Sequence, residues 1–202
     1  MPDEATTRAA AAAVPIPALL IAGGRAARAQ AIDDLVQLRP ADQLWAVVDS
    51  DGAIGAAGRA DRPGVRRASL GAGCPCCTGH VAFRVGLARF LASLGSARPA
   101  RLIIDSPFAR HLDRIRAELA RPQWARALRL DATLLCLADD DLASAPDAGA
   151  GWIAACAQAD LVLARPPHAA GVAALVRAAA GRARLAGAVA DVLDATGAAA
   201  PA

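Results

Sequence analysis

The chain contains no lysine, and all 22 of its basic residues are arginines. Any site that ordinarily depends on a lysine must therefore use another side chain. Alanine is abundant throughout, and we interpret the two features together as a compositional bias of the coding sequence. An arginine at a position that normally carries lysine is consequently weak evidence of selection for a particular chemistry.

Long apolar runs and blocks of like charge are also missing. The 22 basic and 19 acidic residues are scattered and give a formal net charge of +3. No apolar run reaches the length of a membrane span, and nothing in the charge pattern favours binding to nucleic acid. A chain of 202 residues that is 55% hydrophobic is sufficient for one domain with a sizeable core. We expect that domain at 15–197, between disordered tails at 1–14 and 198–202.

The five cysteines do not form the even, spaced set that a disulfide framework requires. Their number is odd and three of them are clustered, which favours a reducing compartment. The stretch from Arg8 to Ile21 superficially resembles a secretory signal, but the acids and prolines around it argue against one. We therefore expect a cytoplasmic protein. Cys136 and Cys156 lie in apolar surroundings and are expected to be inert core residues.

The other three cysteines lie in the segment Gly73-Cys74-Pro75-Cys76-Cys77-Thr78-Gly79-His80. Its glycines favour a loop. Thiolates and an imidazole this close together suit Zn²⁺ or a related thiophilic ion. The local set of metal ligands predicted from the sequence is Cys74, Cys76, Cys77 and His80.

Short apolar runs alternate with segments of helical periodicity along the chain. Strands are expected at 17–22, 44–48, 65–70, 101–105, 132–137 and 160–163, with helices around 32–36, 83–94, 112–119, 152–156 and 172–179. The triplet Asp139-Asp140-Asp141 is expected to be a solvated loop. Such alternation predicts an α/β fold with a mostly parallel sheet covered on both faces, and ligands bind such sheets at the carboxyl ends of the strands.

The order of these segments resembles the nucleotide-binding domain of the CobW-type GTPases, relatives of the UreG and HypB metallochaperones. Gly73-Cys74-Pro75-Cys76-Cys77 matches their Gly-Cys-x-Cys-Cys signature, and the segment from Trp45 to Gly52 looks like their switch segment. The resemblance runs from Ile16 to about Gly181. It implies a P-loop-NTPase-like three-layer sandwich, and we expect the family's usual C-terminal domain to be absent.

The segment that corresponds to the family's phosphate loop, Ala22 to Gln30, departs from the pattern G-x-x-x-x-G-K-[ST]. Its length fits, but Ala22 and Ala27 replace both glycines, and Ala29 replaces the hydroxyl that would hold Mg²⁺. Arg28 stands in the place of the lysine. Gly23, Gly24 and Arg28 remain as a weak, degenerate set for binding an anion at a helix N-terminus.

Two further nucleotide motifs are altered. Asp105 is the one acid that remains after the fourth strand, and Phe108 replaces the glycine that would sense the terminal phosphate. Ala164-Arg165-Pro166-Pro167 replaces Asn-Lys-x-Asp, the motif that would read guanine. Binding of GTP with Mg²⁺ is therefore doubtful, and we expect a pseudo-GTPase. The alternative is a divergent but working GTPase.

The resemblance also implies a zinc site made by the last two cysteines of the signature and a switch-segment glutamate. That glutamate corresponds to Ser50, so we expect Asp49 or Asp51 to supply an oxygen beside the local ligands. The function predicted from the sequence is a metal-binding metallochaperone or metal-homeostasis accessory with a client or partner protein. A thiol redox switch, an interaction module and a cysteine cluster kept only by descent remain alternatives.

Overall fold

The computed structural model describes residues 14–50, 62–71, 79–143, 148–166, 170–179 and 183–196. Within these ranges seven strands form a single sheet in which every pairing is parallel. The strands are β1 Ile16–Gly23, β2 Trp45–Asp49, β3 Val65–Ser69, β4 Arg101–Ser106, β5 Leu128–Leu137, β6 Leu161–Ala164 and β7 Arg184–Ala186. Their spatial order is β3-β2-β4-β1-β5-β6-β7, which places β1 in the middle.

Helices cover both faces of the sheet. They are α1 Arg25–Gln37, α2 His80–Ser93, α3 Leu112–Leu119, α4 Pro122–Ala125, α5 Asp139–Ala143, α6 Ala148–Gln158, α7 Ala170–Ala178 and α8 Val189–Ala195. One apolar cluster joins α1 and α8 to one face of the sheet, and a second joins α2, α3, α6 and α7 to the other face. The predicted three-layer α/β sandwich with a parallel sheet is confirmed. No described helix is long and apolar enough to cross a membrane.

The central strands read as nearly continuous apolar runs because both of their faces are buried. Every residue of β1 from Ala18 to Ala22 is fully buried, and β2 and β4 are buried along their whole length. Leu19 and Ile21 contact the α1 layer, whereas Ala18 and Leu20 contact the α2 layer. This alternation fixes the orientation of the carboxyl end of β1, from which the candidate site is built.

Most of the expected elements are observed, with three differences. The strand predicted at 132–137 begins four residues earlier, at Leu128, because it continues to pair with the start of β1. The acidic triplet 139–141 is not a loop but the first turn of α5, where carboxylates are favoured by the positive end of the helix dipole. The edge strand β7 and the helices α4 and α8 were not predicted, because elements of three to seven residues are too short to establish a period.

The helix that follows the cysteine segment is held to the rest of its layer by an ion pair. Arg84 of α2 donates from Nε and Nη2 to the two carboxylate oxygens of Glu118 in α3, each at 2.6 Å. Burial tends to raise the pKa of Glu118, but the hydrogen bonds from Arg84 and Trp124 and the charges of Arg84 and Arg121 outweigh it and lower that pKa. The carboxylate therefore remains charged and fixes α2 against α3.

Candidate functional site

The candidate site lies where β1 runs into α1, at the carboxyl edge of the sheet. The sequence predicts a strand at 17–22, and the segment that corresponds to the phosphate loop runs from Ala22 to Gln30. Ala22 and Gly23 belong to β1, and α1 begins at Arg25. Gly24 alone separates the two elements, because the alanine-rich segment after it has high helix propensity and forms the first turn of α1.

Gly23 and Gly24 permit this abrupt passage from strand to helix. Gly23 has a φ of +119°, and a Cβ atom built on it would lie 1.9 Å from the backbone oxygen of Cys136 in β5. The amide of Gly24 donates to the same oxygen at 2.9 Å. The backbone at Gly23 and Gly24 thus lies directly against β5. The φ angle of Gly23 is one that residues other than glycine rarely adopt.

Arg28 turns inward from the first turn of α1 and is only 2% exposed. Its Nε donates to Oδ1 of Asp105 at 2.6 Å, and its Nη1 donates to the carbonyl oxygen of Gly23 at 2.6 Å. Asp105, near the end of β4, is 7% exposed. The guanidinium at the lysine position of the phosphate-loop pattern is thus engaged by the acid that the sequence analysis singled out on β4.

A second carboxylate lies at the N-terminus of α1. An ideal Cβ on Gly24 would be 1.9 Å from Oδ2 of Asp141 and 2.2 Å from its Oδ1, so the carboxylate is in direct contact with the Gly24 backbone. Oδ2 of Asp141 also accepts a hydrogen bond from the amide of Ala138 at 2.7 Å. The position of the Asp141 carboxylate is therefore determined both by its hydrogen bond beside α5 and by its contact with Gly24.

The segment that corresponds to the family's guanine-reading motif is also bound internally. Nη2 of Arg165, just after β6, donates to Oδ2 of Asp34 in α1 at 2.6 Å. Only 13% of the Arg165 side chain is exposed. Arg28 and Arg165 therefore each have a carboxylate as counter-charge.

Cys136 lies beneath this cluster as a buried thiol. Burial raises the pKa of its thiol to about 12. The charges of Arg165 and Arg28 lower that pKa by smaller amounts, and those of Asp105 and Asp141 raise it. Burial likewise raises the pKa of Cys156 to about 11. Both thiols are fully buried and neutral at physiological pH, so the prediction that they are core residues is confirmed.

The predicted metal ligands are only partly covered by the structure. Cys74, Cys76, Cys77 and Asp51 lie outside the described residues. Asp49 ends β2 and is fully buried, and His80 is the first residue of α2. Among the residues that the structure describes, no three His, Cys, Asp or Glu side chains are grouped so as to hold a metal ion.

The backbone nevertheless brings the ends of the cysteine segment to this edge of the sheet. The amide of Leu70, just after β3, donates to the carbonyl oxygen of Asp49 at 2.7 Å, so the chain leaves the sheet beside Asp49. It re-enters the described structure at Gly79 and begins α2 at His80. Asp49 is paired in register with Asp105, which places both predicted sites along one edge.

Sequence reasoning missed two residues of the candidate site. Asp141 was assigned to a solvated loop, although three acids directly after an apolar strand are also typical of a helix start. Asp34 was not singled out, because nothing local to α1 indicates its partner at Arg165, 131 residues away.

Comparison with solved structures finds the same fold in a GTPase. The zinc-bound YjiA GTPase from E. coli matches with a TM-score of 0.53 and 16% identity, over 85% of this chain. A zinc-bound triple mutant of YjiA matches with a TM-score of 0.54, at the same identity and coverage. No protein-family model matches the chain, and no curated protein matches it.

These likenesses establish the fold and nothing more, because the identity is low. The chain spans 57% of the length of each of the two YjiA chains. The two YjiA structures agree with the P-loop-type fold that the resemblance to the CobW-type GTPases implied.

The contact between Gly24 and Asp141 can be tested by a double-mutant cycle. Gly24 has φ −61° and ψ 140°, which alanine adopts readily, so the cost of Gly24→Ala comes from displacing the carboxylate. We expect Gly24→Ala to lower the free energy of unfolding by about 1–2 kcal/mol in the wild-type chain and by less than about 0.5 kcal/mol in an Asp141→Ala background. Equal costs in the two backgrounds, measured by urea unfolding, would show that the two residues do not touch.

Proposed function

We propose that the protein is a metal-binding accessory, for zinc or a similar ion, built on a GTPase fold that no longer hydrolyses GTP. The observation that carries the second half of this proposal is the buried Arg28–Asp105 pair. The first half rests on the composition of the cysteine segment and on where the fold places its two ends. A role as a metallochaperone with a client protein in the cytoplasm is part of the same proposal.

Phosphate binding in P-loop proteins needs backbone amides that converge on the ligand and a cation free to meet its charge. Here α1 begins directly after Gly24, which leaves no extended loop to surround a second phosphate. The guanidinium of Arg28 is directed at Asp105 and Gly23, at 2.6 Å each. To bind phosphate it would have to leave a buried carboxylate, and that separation is costly.

Metal and base recognition are weakened in the same way. Ala29 offers no hydroxyl for Mg²⁺, and its neighbours are already part of α1. Arg165, in the place of the guanine-reading motif, is tied to Asp34 of α1. These contacts support loss of both GTP selectivity and hydrolysis. They speak against the alternative of a divergent but working GTPase.

For the metal site, the donor chemistry fits zinc. The cysteine segment supplies three thiols and is bounded by His80. Leu70, which precedes the segment, lies beside the buried Asp49. Because Cys136 and Cys156 are buried with raised pKa values, they do not compete for the ion. Three thiolates and an imidazole are a donor set that holds Zn²⁺.

The nucleotide half of the proposal predicts weak, unselective binding. Calorimetric titration with Mg²⁺-GTP and with Mg²⁺-ATP is expected to give dissociation constants of ~1 mM or weaker for both. The rate of phosphate release from GTP in the presence of the protein should equal the rate in buffer alone. The ATP titration is the matched control for guanine recognition. Micromolar binding that requires Mg²⁺ and favours GTP would contradict this half of the proposal.

The metal half predicts bound zinc. Protein purified without chelator is expected to contain about one equivalent of Zn²⁺ by elemental analysis, and the double change Cys76→Ser and Cys77→Ser should remove it. Cys156→Ala is the control, because it removes a thiol that is buried in the core and should leave the zinc content unchanged. Metal-free wild-type protein would overturn this half, and thiols that instead form a disulfide on mild oxidation would favour the redox switch.

A further inference from the structure

We propose that Asp141 acts as an internal anion at the N-terminus of α1, so that the former phosphate site is occupied by the chain's own carboxylate. The inference rests on the proposed loss of GTPase function and gives it a physical cause that can be reversed. Asp141 is an autoinhibitory residue in this account: it excludes phosphate by occupying the surface that phosphate would use.

The first support is the position of the carboxylate. The first turn of α1 reads Arg25, Ala26, Ala27, Arg28, so α1 itself supplies no carboxylate to its positive end. The N-cap residue, Gly24, has no side chain. The missing negative charge comes from α5, where both carboxylate oxygens of Asp141 lie within 2.2 Å of the place that a Gly24 Cβ would take. An anion at this end of a helix is favourable.

The second support is that Asp141 is held in place. Its Oδ2 accepts from the Ala138 amide at 2.7 Å, and its carbonyl oxygen accepts from Nε1 of Trp152 in α6 at 3.2 Å. The Ala138 bond holds the carboxylate itself, and the Trp152 bond holds the backbone from which that side chain projects. An incoming anion that pushed the carboxylate aside would have to break the Ala138 bond.

The third support is that α5 does the same at a second helix. Oδ1 of Asp139 accepts from the amide of Val172 at 3.2 Å, in the first turn of α7. A Cβ on Gly171 would lie 2.7 Å from that oxygen. Two carboxylates from one short helix thus each contact the N-terminal turn of another helix. Asp140 lies between them in the sequence and is exposed.

The charges around Gly24 explain why removal of the Asp141 carboxylate should have the largest effect on anion binding. Arg28 is matched by Asp105, and Arg165 by Asp34. Asp141 adds a negative charge at the surface of Gly24. An incoming phosphate therefore meets a carboxylate instead of helix amides. Without that carboxylate, the amide end of α1 would present a field favourable to an anion.

The test uses inorganic pyrophosphate as the probe, titrated by calorimetry into the full chain without added metal. Asp141→Ala removes both the charge and the volume of the carboxylate. Asp141→Asn removes the charge but keeps an oxygen for the Ala138 amide, so it guards against a folding defect. Asp140→Ala is the matched control, because it removes one negative charge from the same helix turn without touching Gly24. Circular dichroism establishes that each variant is folded.

We expect Asp141→Ala to bind pyrophosphate at least about tenfold more tightly than the wild-type chain, Asp141→Asn to show a smaller gain because its amide still occupies the Gly24 surface, and Asp140→Ala to bind like the wild type. Folded Asp141 variants without this gain would overturn the role of Asp141, while the proposed loss of GTP hydrolysis would still stand on Arg28 and Asp105. An equal gain in Asp140→Ala would also overturn it, since net charge alone would then explain the effect. Equally tight binding by the wild-type chain would show that the site is not occupied.

Discussion

The buried pair between Arg28 and Asp105 is the interaction on which the candidate site depends. It joins the first turn of α1 to the end of β4 across the edge of the sheet. Arg28 also bonds to the carbonyl oxygen of Gly23, so one guanidinium holds strand, turn and helix together. A cation used in this way is structural. It stabilises the passage from β1 to α1 where a GTPase would keep a charge free for its ligand.

The elements around this pair are also held by contacts within the chain. Asp141 contacts the Gly24 backbone, Arg165 is tied to α1 through Asp34, and Gly23 and Gly24 are held against β5. Each of these contacts satisfies a charge or a backbone group within the chain. A site that is satisfied internally gains rigidity and loses the unmet polar groups that recognise a ligand. The proposed loss of GTP hydrolysis on this fold would follow from such internal contacts.

The sequence predicts the fold well because its signals are local. The apolar runs of β1, β2 and β4 and the helical spacing of Ile32, Leu35 and Val36 reflect burial on a covered parallel sheet. The site is predicted less well because its contacts are not local. Arg28 and Asp105 are 77 residues apart, and no periodicity connects them. The acids of α5 form a single turn, which is too short to show a helical pattern. The cysteine cluster was recognised from the close spacing of its ligands and from its match to the Gly-Cys-x-Cys-Cys signature, and its geometry lies outside the described residues.

The most direct measurement for the central claim is a double-mutant cycle of Arg28→Met and Asp105→Asn, with the free energy of unfolding measured in urea. Each single substitution removes one half of a buried pair and is expected to cost about 3–5 kcal/mol. The double variant should cost less than the sum of the single costs by more than about 1.5 kcal/mol, because the pair is lost only once. Additive costs would contradict the account, since they would mean that Arg28 and Asp105 act independently and that the cation is available to a ligand.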